Sequence, residues 1–219
     1  IFQAISAKTD QGEPCCDWVG KGGAGHFVKM VHNGIEYGDM QMICETYHFM
    51  KEGLGMSNQQ MHETFARWDE GVLDSYLIEI TRDILAHREP DGTATVDLIL
   101  DKAGQKGTGK WTSQNAMDLG IPVPSIDIAV SMREISALKD ERTVADSLYD
   151  RPEVATMAKE KLTDLTEKAL YFSYIITYAQ GLHQLADASK EYGYDLDIAV
   201  IAKIWRAGCI IRAKLLADI

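Results

Sequence analysis

The stretch Gly25-His-Phe-Val-Lys-Met-Val-His-Asn-Gly-Ile-Glu-Tyr-Gly-Asp-Met-Gln-Met-Ile-Cys-Glu-Thr-Tyr-His-Phe-Met-Lys51 decides the fold. It holds no proline, and its apolar residues recur at helical spacing. Phe27, Val31, Ile35 and Met42, with the small Gly34 and Gly38, gather on one side of a helix turning about 100° per residue. Lys29, His32, Asn33, Glu36 and Tyr37 fall within an arc of roughly 140° on the other. A solvated helix face usually repeats Glu, Lys and Gln. This one sets an ammonium, an imidazole, an amide, a carboxylate and a phenol side by side, each a different hydrogen-bonding group. Lys29 and Glu36 are two turns apart, about 10 Å along the axis. Their flexible side chains can converge on one small molecule, with one as base and the other as acid. On spacing alone the plainer reading stays open: a polar face that packs or meets water.

On the N-terminal side, Gly20-Lys-Gly-Gly-Ala-Gly25 matches the G-x-G-x-x-G dinucleotide fingerprint, with Asp39 at about the expected distance. That fingerprint needs a second strand to carry the acidic residue to the ribose. Here one helix continues through Asp39, so the glycines are read as a turn that lets the backbone approach a substrate. On the C-terminal side, Gly104-Gln-Lys-Gly-Thr-Gly-Lys-Trp111 falls one residue type short of a P-loop, because Trp111 stands where Ser or Thr would meet magnesium. Its glycines, lysines and threonine still suit a phosphate: small residues permit close approach, while amides, hydroxyl and ammonium donate. A flexible basic surface loop is the alternative. Arg133 lies amid Ile128, Met132 and Ile135, where a lone arginine is more often an ion-pair partner.

Four motifs together carry a family resemblance: Glu13-Pro-Cys-Cys-Asp-Trp-Val19, Lys29-Met-Val-His-Asn-Gly-Ile-Glu-Tyr-Gly-Asp-Met-Gln41, Gly104-Gln-Lys-Gly-Thr-Gly-Lys-Trp-Thr112 and Trp205-Arg-Ala-Gly-Cys-Ile-Ile-Arg212. In this order they resemble the decarboxylating 6-phosphogluconate dehydrogenases along essentially the whole chain. The resemblance implies oxidation of 6-phosphogluconate at C3 with NADP, loss of carbon dioxide, and protonation of the enediol to ribulose 5-phosphate, a step of gluconate utilisation in the pentose phosphate pathway. It implies Lys29 as general base, a role that needs a lowered pKa, for which burial and a charged His32 are the expected causes. It implies Glu36 as the acid that protonates the enediol carbon. His32 and Asn33 would hold substrate oxygens, and Tyr37, Lys106, Thr108 and Arg133 the phosphate end. No residue of the chain is expected to bind NADP, and no metal is implied. The family also implies a cytoplasmic homodimer. Another β-hydroxyacid dehydrogenase sharing the lysine and asparagine is the rival enzyme reading; the Lys106 loop and Arg133 argue against it. A helical dimerisation fragment that turns nothing over is the non-enzyme reading.

The expected fold is mainly α: a bundle-like helical substrate domain preceded by a short remnant of an α/β cofactor domain. The boundary is set at residues 1–24 for the remnant and 25–219 for the all-α substrate and dimerisation domain, incomplete at its C-terminus. The chain reads as a fragment, inactive by itself. Its 219 residues, 46% apolar and 25% charged, allow an ample core. No run of 18 apolar residues suggests a membrane span. The net charge of −11 argues against nucleic acid and leaves any anionic substrate to local basic residues. The four cysteines have no metal-ligand spacing and are expected as buried free thiols.

Residues 1 to 8 are a strand or a helix end, and Cys15 to Val19 an edge strand. Gly53 and Gly55 end the first long helix. Ser57 with Gln60 forms a capping box for a helix to about Glu70. Asp74 caps a third, with Tyr76, Leu77, Ile80, Ile84 and Leu85 inward. Pro90-Asp-Gly92 turns the chain, and Val96 to Leu100 is a short helix. Thr112 caps a helix that Gly120 ends. Ser125 starts the next after the connector Ile121-Pro-Val-Pro124. Residues 140 to 153 are a loop or short helix. A second long helix runs from about Lys159 to Glu191, with Leu162, Leu165, Leu170, Ile175, Ile176, Tyr178 and Leu182 packing and Gly193 at its end. A last helix runs from about Asp197 onward. The order long helix, glycine, helix bearing Phe65-Ala-Arg-Trp68 echoes in long helix, Gly193, helix bearing Ala202-Lys-Ile-Trp205.

Overall fold

The computed structural model describes residues 1–149 and 158–219. Among them the regular elements are helices: α1 (Phe2–Ile5), α2 (Ala24–His48), α3 (Asn58–Asp69), α4 (Tyr76–Ala86), α5 (Thr108–Leu119), α6 (Pro124–Ala137), α7 (Lys139–Leu148), α8 (Lys159–Tyr192) and α9 (Ile198–Ile204). Extended pairing is limited to isolated bridges, such as Lys8 with Pro14. The mainly α expectation therefore holds.

The two long helices form the axis. α2 packs against α8 on one side and against α5 and α6 on the other. Two glycines set the spacing. A Cβ on Gly34 would lie 2.6 Å from Thr112 Cγ2, and a Cβ on Gly38 would lie 2.6 Å from Thr177 Cγ2. Only hydrogen at those positions lets α5 and α8 approach so closely. α3 and α4 pack as a pair beside this axis, and Phe65 and Trp68 are fully buried in one core with Val31, Ile35, Leu185 and Ile201.

Local signals explain most boundaries. Ser57 and Gln60 make both bonds of the capping box. Gly120 and Gly193 close α5 and α8 in the left-handed conformation. α2 runs on into a π-helical turn, Phe49–Gly53, before the chain breaks at Leu54 and Gly55.

Several expectations are corrected. Residues 1 to 8 contain the short helix α1. Cys15 to Val19 is not a strand, because no strand lies beside it among the described residues; Cys15 N bonds only Ala7 O. Ser75, not Asp74, caps α4: Ser75 pairs in extended form with Ala213, so the helix starts just after it. α4 buries Leu77, Ile78 and Leu85, while Ile84 is exposed. Thr112 is not a cap. It lies one turn inside α5, and Gly107, at φ 114°, takes the cap position. The last helix ends at Ile204, because the chain turns back through Gly208 (φ 72°) to bond Tyr76 N through Arg212 O. Residues 140–148 lie in α7; residues 150–153 fall outside the described set. Leu165, Ile175 and Ile176 on α8 do not pack inside but face out; Ile128, Met132 and Ile135 on α6 are exposed as well. The cysteines are free, yet none is fully buried and Cys44 is exposed.

Candidate functional site

α2 carries its polar set toward α5, α6 and the turn after α9. Lys29 Nζ donates to Asn33 Oδ1 and lies 3.2 Å from His32 Nδ1. Asn33 Nδ2 donates to Thr108 Oγ1 at 3.0 Å, which bonds α2 to the first residue of α5. Four of the expected residues, Lys29, His32, Asn33 and Thr108, thus form one connected group. α5 is locked beneath it by Thr112 Oγ1, which donates to Met30 O and sits within reach of Thr108 O, each at 2.9 Å.

The second half of the site centres on Tyr37. Its ring is 8% exposed, and a Cβ on Gly109 would come within 2.5 Å of it, so the glycine allows α5 to lie on the ring. Arg133 from α6 stacks its guanidinium 4.2 Å from the ring centre. Arg133 Nη1 also donates to Gly104 O at 2.8 Å, pinning the loop before α5 to α6. Among the described residues Arg133 therefore meets a phenol ring and a backbone carbonyl, not the carboxylate that a plain ion-pair role would need. Lys106 stands just before Gly107, exposed, and makes no hydrogen bond or ion pair within the described residues. Only its sequence neighbourhood, two residues from Thr108, ties it to the group.

The electrostatics depart from expectation at His32. Burial, and then the charge of Lys29, push its pKa down to about 4, against a weaker opposing pull from its bond with Asn33. At neutral pH the imidazole is uncharged. The charged His32 expected beside Lys29 is therefore not there; a buried ring next to an ammonium cannot keep a second proton. Burial raises the pKa of Glu36, with Lys29 and Arg133 pulling it the other way. Glu36 is thus disposed to carry a proton, which suits an acid.

The glycine-rich turn at Gly20–Gly25 packs against the protein. Lys21 N bonds Tyr194 O, and a Cβ on Gly20 would strike that carbonyl at 2.6 Å, so the turn is braced against the end of α8. Asp39 is 1% exposed, inside the core side of α2. Neither the turn nor Asp39 is placed as a dinucleotide fingerprint requires. Nor do the described residues contain a group of three or more His, Cys, Asp or Glu able to hold a metal.

The family model for 6-phosphogluconate dehydrogenase, C-terminal domain, matches residues 25–219. The chain belongs to this family. A decarboxylating 6-phosphogluconate dehydrogenase of Haemophilus influenzae is 54% identical over 220 residues, covering all of this chain and 46% of that protein. The Schizosaccharomyces pombe enzyme is 56% identical over 220 residues and 45% of its length. A Bacillus subtilis relative, named as NADP(+)-dependent and decarboxylating, is 56% identical over 222 residues and 47% of its length. The chain spans about half the length of the curated relatives it matches. A solved Plasmodium falciparum 6-phosphogluconate dehydrogenase, described as apo, with its cofactor NADP+ and with its substrate 6-phosphogluconate, superposes with TM-score 0.90 at 45% identity over 96% of this chain and 46% of that one.

Within this 6-phosphogluconate dehydrogenase domain, Trp205 is the site neighbour that sequence reading left without a role. It packs on His32 across some 170 residues of chain. Its presence in the Trp205–Arg212 motif was a signal, but no periodicity links it to α2. Gly109 was read as letting a phosphate approach closely, and its contact with Tyr37 needed the fold.

Proposed function

We propose that this chain supplies the substrate-binding and proton-transfer residues of an NADP-dependent, decarboxylating 6-phosphogluconate dehydrogenase, a cytoplasmic enzyme of the pentose phosphate pathway. The observation that carries the reading is the hydrogen-bonded group Lys29, His32, Asn33 and Thr108 on one face of α2, with Glu36 one turn further on. Lys29 takes the proton of the C3 hydroxyl as that carbon is oxidised, and its ammonium then hydrogen-bonds the ketone oxygen through decarboxylation. Glu36, biased by burial toward its protonated form, gives a proton to the enediol carbon. His32 and Asn33 hold substrate oxygens. Lys106 and Arg133 bring positive charge to the phosphate end, beside Thr108 and Tyr37, in a chain whose overall charge repels an anion. The hydride acceptor implied by the relatives is NADP; its binding is not assigned to any residue described in this chain.

The working unit is proposed to be a homodimer. Leu165, Phe172 and Ile176 form an exposed apolar stripe along α8, and α6 adds Ile128, Met132 and Ile135. Contiguous exposed apolar faces on soluble proteins mark interfaces. A second copy suits them because the long α8 can offer the same stripe to itself across a twofold axis.

The reading is tested in the native full-length protein with Lys29→Met. Methionine keeps the helix propensity and much of the volume but removes the amine. Turnover of 6-phosphogluconate should fall about 10²–10⁴-fold, the range for loss of a general base, with substrate affinity changing far less. Near-normal turnover would remove Lys29 from the chemistry.

A further inference from the structure

His32 is 3% exposed, and its Nε2 has no hydrogen-bond partner among the described residues. Its Nδ1 lies 3.2 Å from Lys29 Nζ. Nδ1 lies equally close to Asn33 Oδ1, an acceptor, so one ring nitrogen faces both Lys29 and Asn33. Polar contacts hold the ring at its Nδ1 edge alone, and Nε2 is left without one among the described residues. Something else must hold it. Trp205 lies against it, with ring centres 5.5 Å apart and planes at 74°. Such edge-to-face pairs have a preferred geometry and add about 0.5–1.5 kcal/mol beyond the area they bury.

We propose that Trp205 is a positioning residue of this site: its indole packs edge to face on His32, shuts water from the imidazole and keeps Nδ1 turned toward Lys29. The proposal rests on the reading of Lys29 as the proton carrier. Trp205 is itself firmly placed. It is 5% exposed and closes α9, its N–H reaching Ile201 O and Ala202 O at 3.3 Å. Cys209 Sγ donates to its carbonyl at 3.1 Å. The adjacent Arg206, with Lys203, pairs with Glu13, which moors the end of α9 to the loop before α2.

The charged and titratable surroundings are few. From α2, Lys29 acts on the ring and Asn33 bonds it; α9 contributes the uncharged Trp205. The turn after α9 brings Cys209, which interacts with both Lys29 and Arg212. Burial is the largest influence on the His32 proton, ahead of Lys29. Trp205 is the aromatic ring packed on His32, so removing it should admit water.

The test follows the His32 proton by NMR in the native full-length protein with labelled histidine, its signal identified by its loss in His32→Gln. Trp205→Leu should stay folded by circular dichroism, and the His32 midpoint should move from about 4 up toward the ordinary 6.5. One pH unit below such a midpoint about a tenth of the rings remain neutral. Turnover at pH 5.5 relative to pH 8 should therefore drop about tenfold further than in the unsubstituted protein. Trp205→Phe, which keeps an aromatic ring, should restore most of both. A folded Trp205→Leu protein with His32 still titrating near 4 overturns the proposal, and so does a Phe variant shifted as far as the Leu variant. If Trp205→Leu does not fold, Trp205→Met, closer in volume, carries the same comparison. Failure of the dehydrogenase reading looks different: Lys29→Met would keep its turnover while the His32 midpoint still responds to Trp205.

Discussion

Lys106 shows what one side chain of this site is expected to contribute. It is exposed, without partners among the described residues, and stands two positions before Thr108, which receives the amide of Asn33. A phosphate clamp distant from the reacting carbon acts as uniform binding energy, affecting KM more than kcat. A charge-assisted contact is worth about 1.5–3 kcal/mol. In the native full-length protein, Lys106→Ala should therefore raise the KM for 6-phosphogluconate about tenfold or more with kcat little changed. Steady-state kinetics returning the original KM would place Lys106 outside the site. At this scale the sequence was a good guide to residue types on one helix face. The side of α2 bearing Lys29, His32, Asn33, Glu36 and Tyr37 follows from periodicity. What periodicity cannot carry is environment. His32 was expected charged, and its neutral state depends on burial contributed from elsewhere in the chain, including Trp205. Arg133 was expected as a possible ion-pair partner and instead stacks on Tyr37 and holds Gly104 O.

At the scale of the element, α2 works because it can be approached closely from both sides. Gly38 meets Thr177 of α8, and a Cβ there would fall 2.6 Å from the threonine methyl but 3.5 Å from its hydroxyl oxygen and 3.7 Å from its Cβ. Alanine in a helix is favoured over glycine by up to about 1 kcal/mol. Overpacking of a core contact costs about 1–3 kcal/mol. The clash should win: Gly38→Ala should lose about 1–2 kcal/mol in urea unfolding of the native full-length protein. The pair Gly38→Ala/Thr177→Ser removes the offending methyl and should regain most of that loss, since the Thr177 hydroxyl bond to Ser173 O can persist in serine. If the double variant is no more stable than Gly38→Ala alone, the methyl is not what sets the helix spacing. The elements themselves were legible where a local group makes the boundary, as at the Ser57–Gln60 box and Gly193. They were misread where a distant partner makes it. Ser75 rather than Asp74 starts α4 because Ala213 pairs with Ser75. The final helix stops at Ile204 because residues after Gly208 return to bond the start of α4.

At the scale of the whole molecule, the outward apolar residues are what the proposed homodimer would cover. A single chain leaves Phe172 62% exposed and Leu165 46% exposed on the same helix whose other face is core. Helical periodicity marked Leu165 as packing but could not say against what. Light scattering of the native full-length protein should give the mass of a dimer, and Phe172→Glu should shift it toward monomer; a monomeric mass for the unsubstituted protein at micromolar concentration would contradict the assignment. The division of labour between Lys29 and Glu36 is the central claim, and rapid mixing of the native full-length protein with NADP and 6-phosphogluconate tests it most directly. Glu36→Gln keeps the side chain's shape and removes the acid. It should complete oxidation and decarboxylation once and then wait for the enediol to be protonated. NADPH should appear as a fast burst, about one equivalent per site, followed by slow turnover. Lys29→Met, blocked at the first proton transfer, should show slow formation with no burst. The same burst-free time course in both variants, with substrate binding intact, would contradict the assignment of base to Lys29 and acid to Glu36.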